Sequence, residues 1–322
     1  MHTSVTRRAR RLGVIVTLVG ALVSAGCATR STESPTPTGA QQTTTATAGE
    51  FPVTVTPPDG KSVTLAARPK KIISLSASAT EALFAIGAGK QVIAVDEQST
   101  FPAEAPRSTL SGLTPNIEAI SGYTPDLVIA SGDTGKLSEN MERLRIPALI
   151  LPAATSFDDV YTQLDLLGKA SGHSFEAGDL GKRMKDDIDK IVKDTPKPGK
   201  ALTYYHELDT ELYTATSKTF IGQVYGLFGL TNVADPADID ASGYPKLSNE
   251  FVIQANPSLV FLGDTKCCGQ NATTVAARPG WNTITAVKDG NVVAVDDDLA
   301  SRWGPRVVDL VRVVADAVVK AA

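Results

Sequence analysis

Histidine and cysteine are scarce in this 322-residue chain, with three of each. One histidine, His2, lies among the first residues, and His173 and His206 are the others. Once the N-terminal segment is removed, too few remain for a three-histidine zinc site. His-Glu-x-x-His is absent, as are the Gly-x-Ser-x-Gly elbow and the Ser-x-x-Lys pair of serine nucleophiles. No Gly-x4-Gly-Lys phosphate loop and no Gly-x-Gly-x-x-Gly after a strand occurs. These absences point to a protein that catalyses nothing, with no resident cofactor and no metal ligands. Aromatic residues are also thin, at 6%.

Positive charge is in deficit. Residues 1–26 read as an export signal: Arg7, Arg8, Arg10 and Arg11 precede an apolar run from Leu12 to Val23, too short to span a bilayer. Val23-Ser24-Ala25-Gly26-Cys27 reads as a lipobox, in which Cys27 becomes the lipidated N-terminus. Twin-arginine export is open, although Arg10 stands where that signal prefers an apolar residue. Cleavage removes four arginines and no acid, leaving an acidic chain without a basic stripe, a poor partner for nucleic acid. The expected location is the outer face of the cell membrane. Export implies an oxidising compartment, so the adjacent Cys267 and Cys268 are expected to form a vicinal disulfide, the alternative being two thiols or an external partner.

Residues 27–50 are rich in Thr, Ser, Pro and Ala and cannot bury a core, so they read as a tether. Phe51–Leu65 alternates around Pro57-Pro58-Asp59-Gly60 as a β-hairpin. Beyond it, strands alternate with helices, the pattern of an α/β protein with parallel sheets. The strands are Lys71–Leu75, Val92–Val95, Leu127–Ala130, Ala148–Leu151, Ala201–Tyr205, Val260–Leu262 and Asn291–Val295. From Phe157 to about Val192 the pattern is helical without a clear strand, with one long helix over Phe175–Val192 that Lys193–Lys200 breaks, and Val307–Val319 is a closing helix. The expected domains are therefore an N-terminal lobe at 51–156, a helical bridge at 157–196 and a C-terminal lobe at 197–322.

Two stretches repeat one plan. Gly112–Asp133 and Gly243–Cys268 each place a Glu (Glu118, Glu250) seven residues before a Pro (Pro125, Pro257). An apolar run and Gly-Asp follow in both. A short helix, a Pro stop and a buried strand account for the pattern, and its long period indicates two homologous lobes rather than a solenoid. In a parallel sheet, ligands bind beyond the carboxyl ends of the strands, where the following helices begin. Glu118 and Glu250 therefore sit at the rim of a cleft shared by the lobes, or are simply favourable helix-start acids.

From Phe51 onward the chain resembles the solute-binding lipoproteins of ABC importers for iron–siderophores, haem and cobalamin. The resemblance rests on Arg68-Pro-x-x-Ile-Ile-Ser-Leu, Ala79-Thr-Glu-Ala-Leu-Phe-Ala-Ile-Gly, Pro115-Asn-Ile-Glu-Ala-Ile, Leu247-Ser-x-Glu, Arg278-Pro-Gly-Trp and Trp303-Gly-Pro-Arg. It implies two Rossmann-like lobes with parallel sheets bridged by one long helix, a ligand cleft between the lobes and little hinge motion. It also implies that Glu118 and Glu250 dock on arginines of an ABC permease.

The expected ligand is a ferric siderophore, bound by a monomer; a haem or cobalamin receptor, or an envelope adaptor without ligand, is the alternative. Tyr244 is the one aromatic at a position typical of cobalamin receptors, while the hairpin is more typical of siderophore receptors. Arg302 and Trp303 are expected to line the pocket, the guanidinium serving an anionic chelate. Ser76 and Ser78 stand before a helix N-terminus and either offer hydroxyls to an anion or cap the helix. Tyr205 and His206 end a strand and are candidate ligands of haem iron.

Overall fold

The computed structural model describes residues 51–58 and 60–322. The expected signal, tether and lipidation site Cys27 lie outside the described residues. The hairpin forms as expected, with β1 (Val53–Val55) antiparallel to β2 (Val63–Leu65). The first lobe then runs β3 (Ile72–Leu75), α1 (Ala77–Ala85), β4 (Val92–Asp96), β5 (Arg107–Leu110) and α2 (Ile117–Gly122). It closes with β6 (Leu127–Ala130), α3 (Leu137–Arg143) and β7 (Ala148–Ile150). Its five strands form one parallel sheet of order β5-β4-β3-β6-β7.

Two helices follow, α4 (Phe157–Ser171) and α5 (Ser174–Asp194). The helical bridge is thus a helical hairpin, and the long helix predicted over Phe175–Val192 is its second member. Ser156 and Asp159 cap α4 reciprocally, and Gly172 ends it in the left-handed conformation at φ 73°. Gly168 lets the two helices touch: a Cβ there would lie 2.4 Å from the Ala177 Cβ.

The second lobe holds β8 (Thr203–Glu207), α6 (Phe220–Gly226), β9 (Thr231–Asn232), α7 (Asn249–Ala255) and β10 (Leu259–Leu262). After these come α8 (Ala272–Ala276), α9 (Thr285–Lys288), β11 (Val292–Ala294), α10 (Asp297–Ser301) and α11 (Val307–Ala321). Its parallel sheet has the order β11-β10-β8-β9. Sequence patterning missed β5 and β9. In β5 only Leu110 is buried, and β9 has two residues, so neither leaves an apolar run to read.

The internal repeat extends to strand register. Ile72 pairs with Leu127 and Leu75 with Ala130 in the first sheet. Tyr204 pairs with Leu259 and Glu207 with Leu262 in the second. Each second-lobe residue follows its first-lobe counterpart by the same interval that separates Glu118 from Glu250.

Alternation along the central strands divides the interior. Ile72, Leu127 and Ile129 face one continuous core that also takes Tyr204, Leu259 and Phe261 of the second lobe. The same core includes the hairpin's Val55, Leu164 of α4, Met184 of α5 and Val314 of α11. The opposite sheet faces have smaller cores of their own, around Val128 in the first lobe and Trp281 in the second. The lobes therefore share buried apolar surface, and moving one against the other would expose it.

A charge clasp adds to this. Glu81 of α1 is 3% exposed. Arg306, at the start of α11, grips it with Nε at 3.0 Å and Nη2 at 2.5 Å, and Arg302 Nη1 lies 3.5 Å away. Gly304 makes room between them, since a Cβ there would sit 3.1 Å from the carboxylate. Removing one member of such a buried pair strands the others without compensation. Glu81→Ala should lower the unfolding free energy by about 3–5 kcal/mol, measured by urea denaturation.

Candidate functional site

Parallel strands gather the loops that leave their carboxyl ends along one edge of each sheet. Several of those loops expose large apolar side chains. In the first lobe these are Phe101 after β4 (43% exposed) and Leu113 after β5. In the second they are Tyr213 after β8, and Ile239 and Tyr244 after β9, the last 48% exposed. Apolar surface left in water on two facing lobes is what a ligand cleft requires. Tyr244, singled out in the sequence, is among these exposed side chains. Phe101, Leu113, Tyr213 and Ile239 were not singled out, and their only signal was being large and apolar within loop sequence.

Arg302 does not serve as expected. Its side chain is 10% exposed and is taken by Asp298 at 2.7 Å and by Glu81. It also donates to the Gln98 carbonyl at 2.6 Å. Asp298 in turn accepts from Thr100 of the first lobe at 2.8 Å. The guanidinium is therefore spent on holding the lobes together, and no anion-binding charge is left over. Trp303 is half-buried in the same seam: its amide donates to Ser78 Oγ at 3.2 Å and its indole Nε1 to Gln163 at 3.1 Å. Ser76 caps α1, accepting from the Ala79 amide. Ser76 and Ser78 are both buried, Ser76 as the cap and Ser78 as the acceptor from Trp303, so an anion would find neither hydroxyl in the open.

Tyr205 and His206 are fully buried, on opposite faces of β8. His206 Nδ1 bonds the Tyr225 hydroxyl at 2.7 Å, and burial pushes the imidazole down to about 4, so the ring is neutral. Tyr205 stacks edge-on against Trp281. Neither side chain reaches the cleft, which removes both as ligands of a bound iron. The strand runs two residues further than the Ala201–Tyr205 its sequence suggested. The remaining described histidine, His173, bonds Arg68 beside the hairpin.

Glu118 and Glu250 occupy the first turns of α2 and α7. Asn116 and Ser248 cap those helices with their side chains, so neither glutamate is needed for capping. Both are exposed, and neither carboxylate has a hydrogen-bond or ion-pair partner among the described residues. Two matched acids, one per lobe, are thus left free for a basic surface.

Beneath the Cys267–Cys268 loop lies a cluster the sequence did not reveal. Glu207, the last residue of β8, is fully buried and receives a bidentate grip from Arg278 at 2.6 and 2.5 Å. Arg278 also stacks over Trp281 and bonds Gln270 at 2.7 Å. Asp264 is fully buried beside this pair, and neither of its carboxyl oxygens meets a donor. Desolvation, then the neighbouring Glu207, push Asp264 up to about 7. One guanidinium cannot neutralise two carboxylates, so Asp264 keeps its proton through most of the acidic range. Above it, Asp297 accepts the amides of Lys266 and Cys267, each at 2.9 Å, and Lys266 Nζ bonds Asp296 and Asp298. The structure brings the two cysteine sulfurs together at the exposed tip. No group of three or more His, Cys, Asp or Glu among the described residues could hold a metal ion.

Residues 72–299 match the periplasmic binding protein family. The chain belongs to that family. Its relatives include an ABC transporter substrate-binding lipoprotein of Bacillus subtilis, 31% identical over 281 residues, covering 83% of this chain and 86% of the relative. A cobalamin-binding protein of Halobacterium salinarum is 31% identical over 279 residues, covering 83% and 74%. Among solved structures, a possible iron-binding protein from Staphylococcus epidermidis superposes with a TM-score of 0.67 at 25% identity, covering 78% of this chain and 98% of that one. A haem-binding protein from Roseiflexus gives 0.70 at 21% identity, with the same coverage, and supports the fold. The chain is therefore a solute-binding protein of ABC import, of the siderophore, haem and cobalamin class.

The Asp264 cluster gives a pH dependence of defined sign. A carboxyl whose folded-state pKa is raised stabilises the fold fully below its unfolded value near 3.8, and that contribution is lost as pH rises towards about 7. Asp264→Asn removes the ionisation. Urea unfolding between pH 4 and 8 should show a shallower loss of stability with rising pH in the variant, and the variant should gain most on the wild type at pH 8.

Proposed function

We propose that this protein is an extracytoplasmic receptor for a corrinoid, the cobalamin class, anchored by lipid at Cys27 and delivering its solute to an ABC permease through Glu118 and Glu250. The observation that carries the reading is the character of the cleft loops. They expose Phe101, Leu113, Tyr213, Ile239 and Tyr244, while the one arginine expected to meet an anion is engaged by Glu81 and Asp298. An anionic ferric siderophore or the propionates of haem would call for a free cation there. A large, flat, neutral macrocycle instead gains from broad aromatic and aliphatic contact. The named cobalamin-binding relative agrees with this reading. It departs from the siderophore expected from sequence, and the buried His206 and Tyr205 count against haem ligation.

The loop bearing Cys267 and Cys268 is read as the brace of the cleft mouth, closed by the vicinal disulfide. Asp297 and Lys266 hold it to α10. No described helix is long and apolar enough to cross a membrane, and the lipid on Cys27 is read as the attachment.

Tryptophan fluorescence tests the ligand directly, because Trp303 lies in the seam between the lobes. Titration with cyanocobalamin should give saturable quenching, and haem and a ferric hydroxamate should give none. Tyr244→Ala should weaken cobalamin binding about tenfold, or 1.4 kcal/mol. Saturation by the ferric chelate or haem alone would reject the corrinoid reading, and silence with all three would favour an adaptor. Separately, Glu118→Ala/Glu250→Ala should abolish uptake in cells while leaving solution affinity unchanged. Normal uptake by the double variant would reject the docking role.

A further inference from the structure

A cavity of about 470 Å³ opens between the N-terminal hairpin and the first sheet. It lies within the range of about 300–1,000 Å³ common for binding pockets. None of Phe101, Tyr213 or Tyr244 lines it, so it is distinct from the solute cleft. Its walls are two strand edges. β2 ends the two-stranded sheet, and β7 ends the five-stranded one.

The edge of β7 is unpaired on this side. The Pro147 carbonyl accepts from Val128, and the Leu151 amide donates to Ala130, both towards β6. Hydrogen-bonding direction alternates along a parallel strand, so Ala148 and Ile150 turn their N–H and C=O groups the other way. Ala148 and Ile150 line the cavity, and Leu149 does not. Val63 and Ile146 give it an apolar lining.

The rim carries charge of both signs, unequally committed. Asp133 is occupied by the amide and hydroxyl of Ser138, at 2.7 and 2.6 Å. Lys61 spans the opening to Glu142 at 3.5 Å. Arg145, exposed and held at φ 58°, has no carboxylate partner among the described residues. What is left unmatched is a row of backbone donors and acceptors, an apolar lining and one cation.

We propose that this cavity takes an extended segment of another polypeptide, which adds a strand between β2 and β7 and presents a carboxylate to Arg145. A strand matches the N–H and C=O groups that Ala148 and Ile150 turn away from β6, and its alternate side chains reach the apolar lining. A small solute or a convex surface would leave the β7 edge unmatched. The site makes no use of the cleft, so it stands whether or not the ligand is a corrinoid.

The probe is the acetylated, amidated hexapeptide Thr-Val-Glu-Val-Thr-Val, titrated into the full chain by calorimetry with amide hydrogen exchange on the complex. Exchange should slow at Ala148, Ile150 and β2, and Arg145→Ala should weaken binding about tenfold. A probe N-methylated at alternate residues should lose binding to the wild-type protein, a result that no folding defect can mimic. Equal binding of the methylated probe, protection elsewhere, or no binding at millimolar peptide overturns the proposal. A concentration-dependent dimer that protects the same amides overturns it in favour of a second copy of this chain.

Discussion

Glu81 is buried in one lobe and neutralised from the other. A carboxylate out of water demands compensation on the order of several kcal/mol, and here Arg306 and Arg302 supply it from the segment that opens the last helix. The seam then follows from that demand. Arg302 must also satisfy Asp298, Asp298 binds Thr100, and Trp303 is carried into contact with Ser78 and Gln163. The shared apolar core through the helical hairpin acts in the same direction. Charge and burial together fix the separation of the two lobes, and with it the width of the cleft.

Much of this architecture was legible in the sequence. Leu127–Ala130 and Leu259–Leu262 are short apolar runs behind a Pro stop, and burial on both faces of a parallel sheet is what makes such runs continuous. Glu118 and Glu250 could be placed because helix starts follow from local spacing alone. The two helix-start glutamates and the repeat therefore belong to the part of the structure that short-range pattern controls.

The pocket residues belonged to the other part. Arg302 looked like a free cation because nothing near it in sequence announces Glu81. Arg278 was noticed in Arg278-Pro-Gly-Trp, but its partner Glu207 lies on a strand whose end reads as the edge of the core. His206 and Tyr205 were placed at that same end, whereas β8 runs on to Glu207 and keeps both inside. Two of the motifs that carry the family resemblance thus proved to hold structural ion pairs, through Arg278 and Arg306. Charge partners are chosen by tertiary assembly, and one-dimensional spacing does not encode them.

The continuous core has a consequence for traffic at the membrane. A receptor that swings shut on its cargo advertises its loading by the distance between its lobes. Here the lobes share an interior, so changing the spacing of Glu118 and Glu250 would expose buried apolar surface. On the docking role proposed for those glutamates, unloaded molecules compete with loaded ones for the same landing site, and the rate of import depends on the fraction of receptors that are filled as well as on their number.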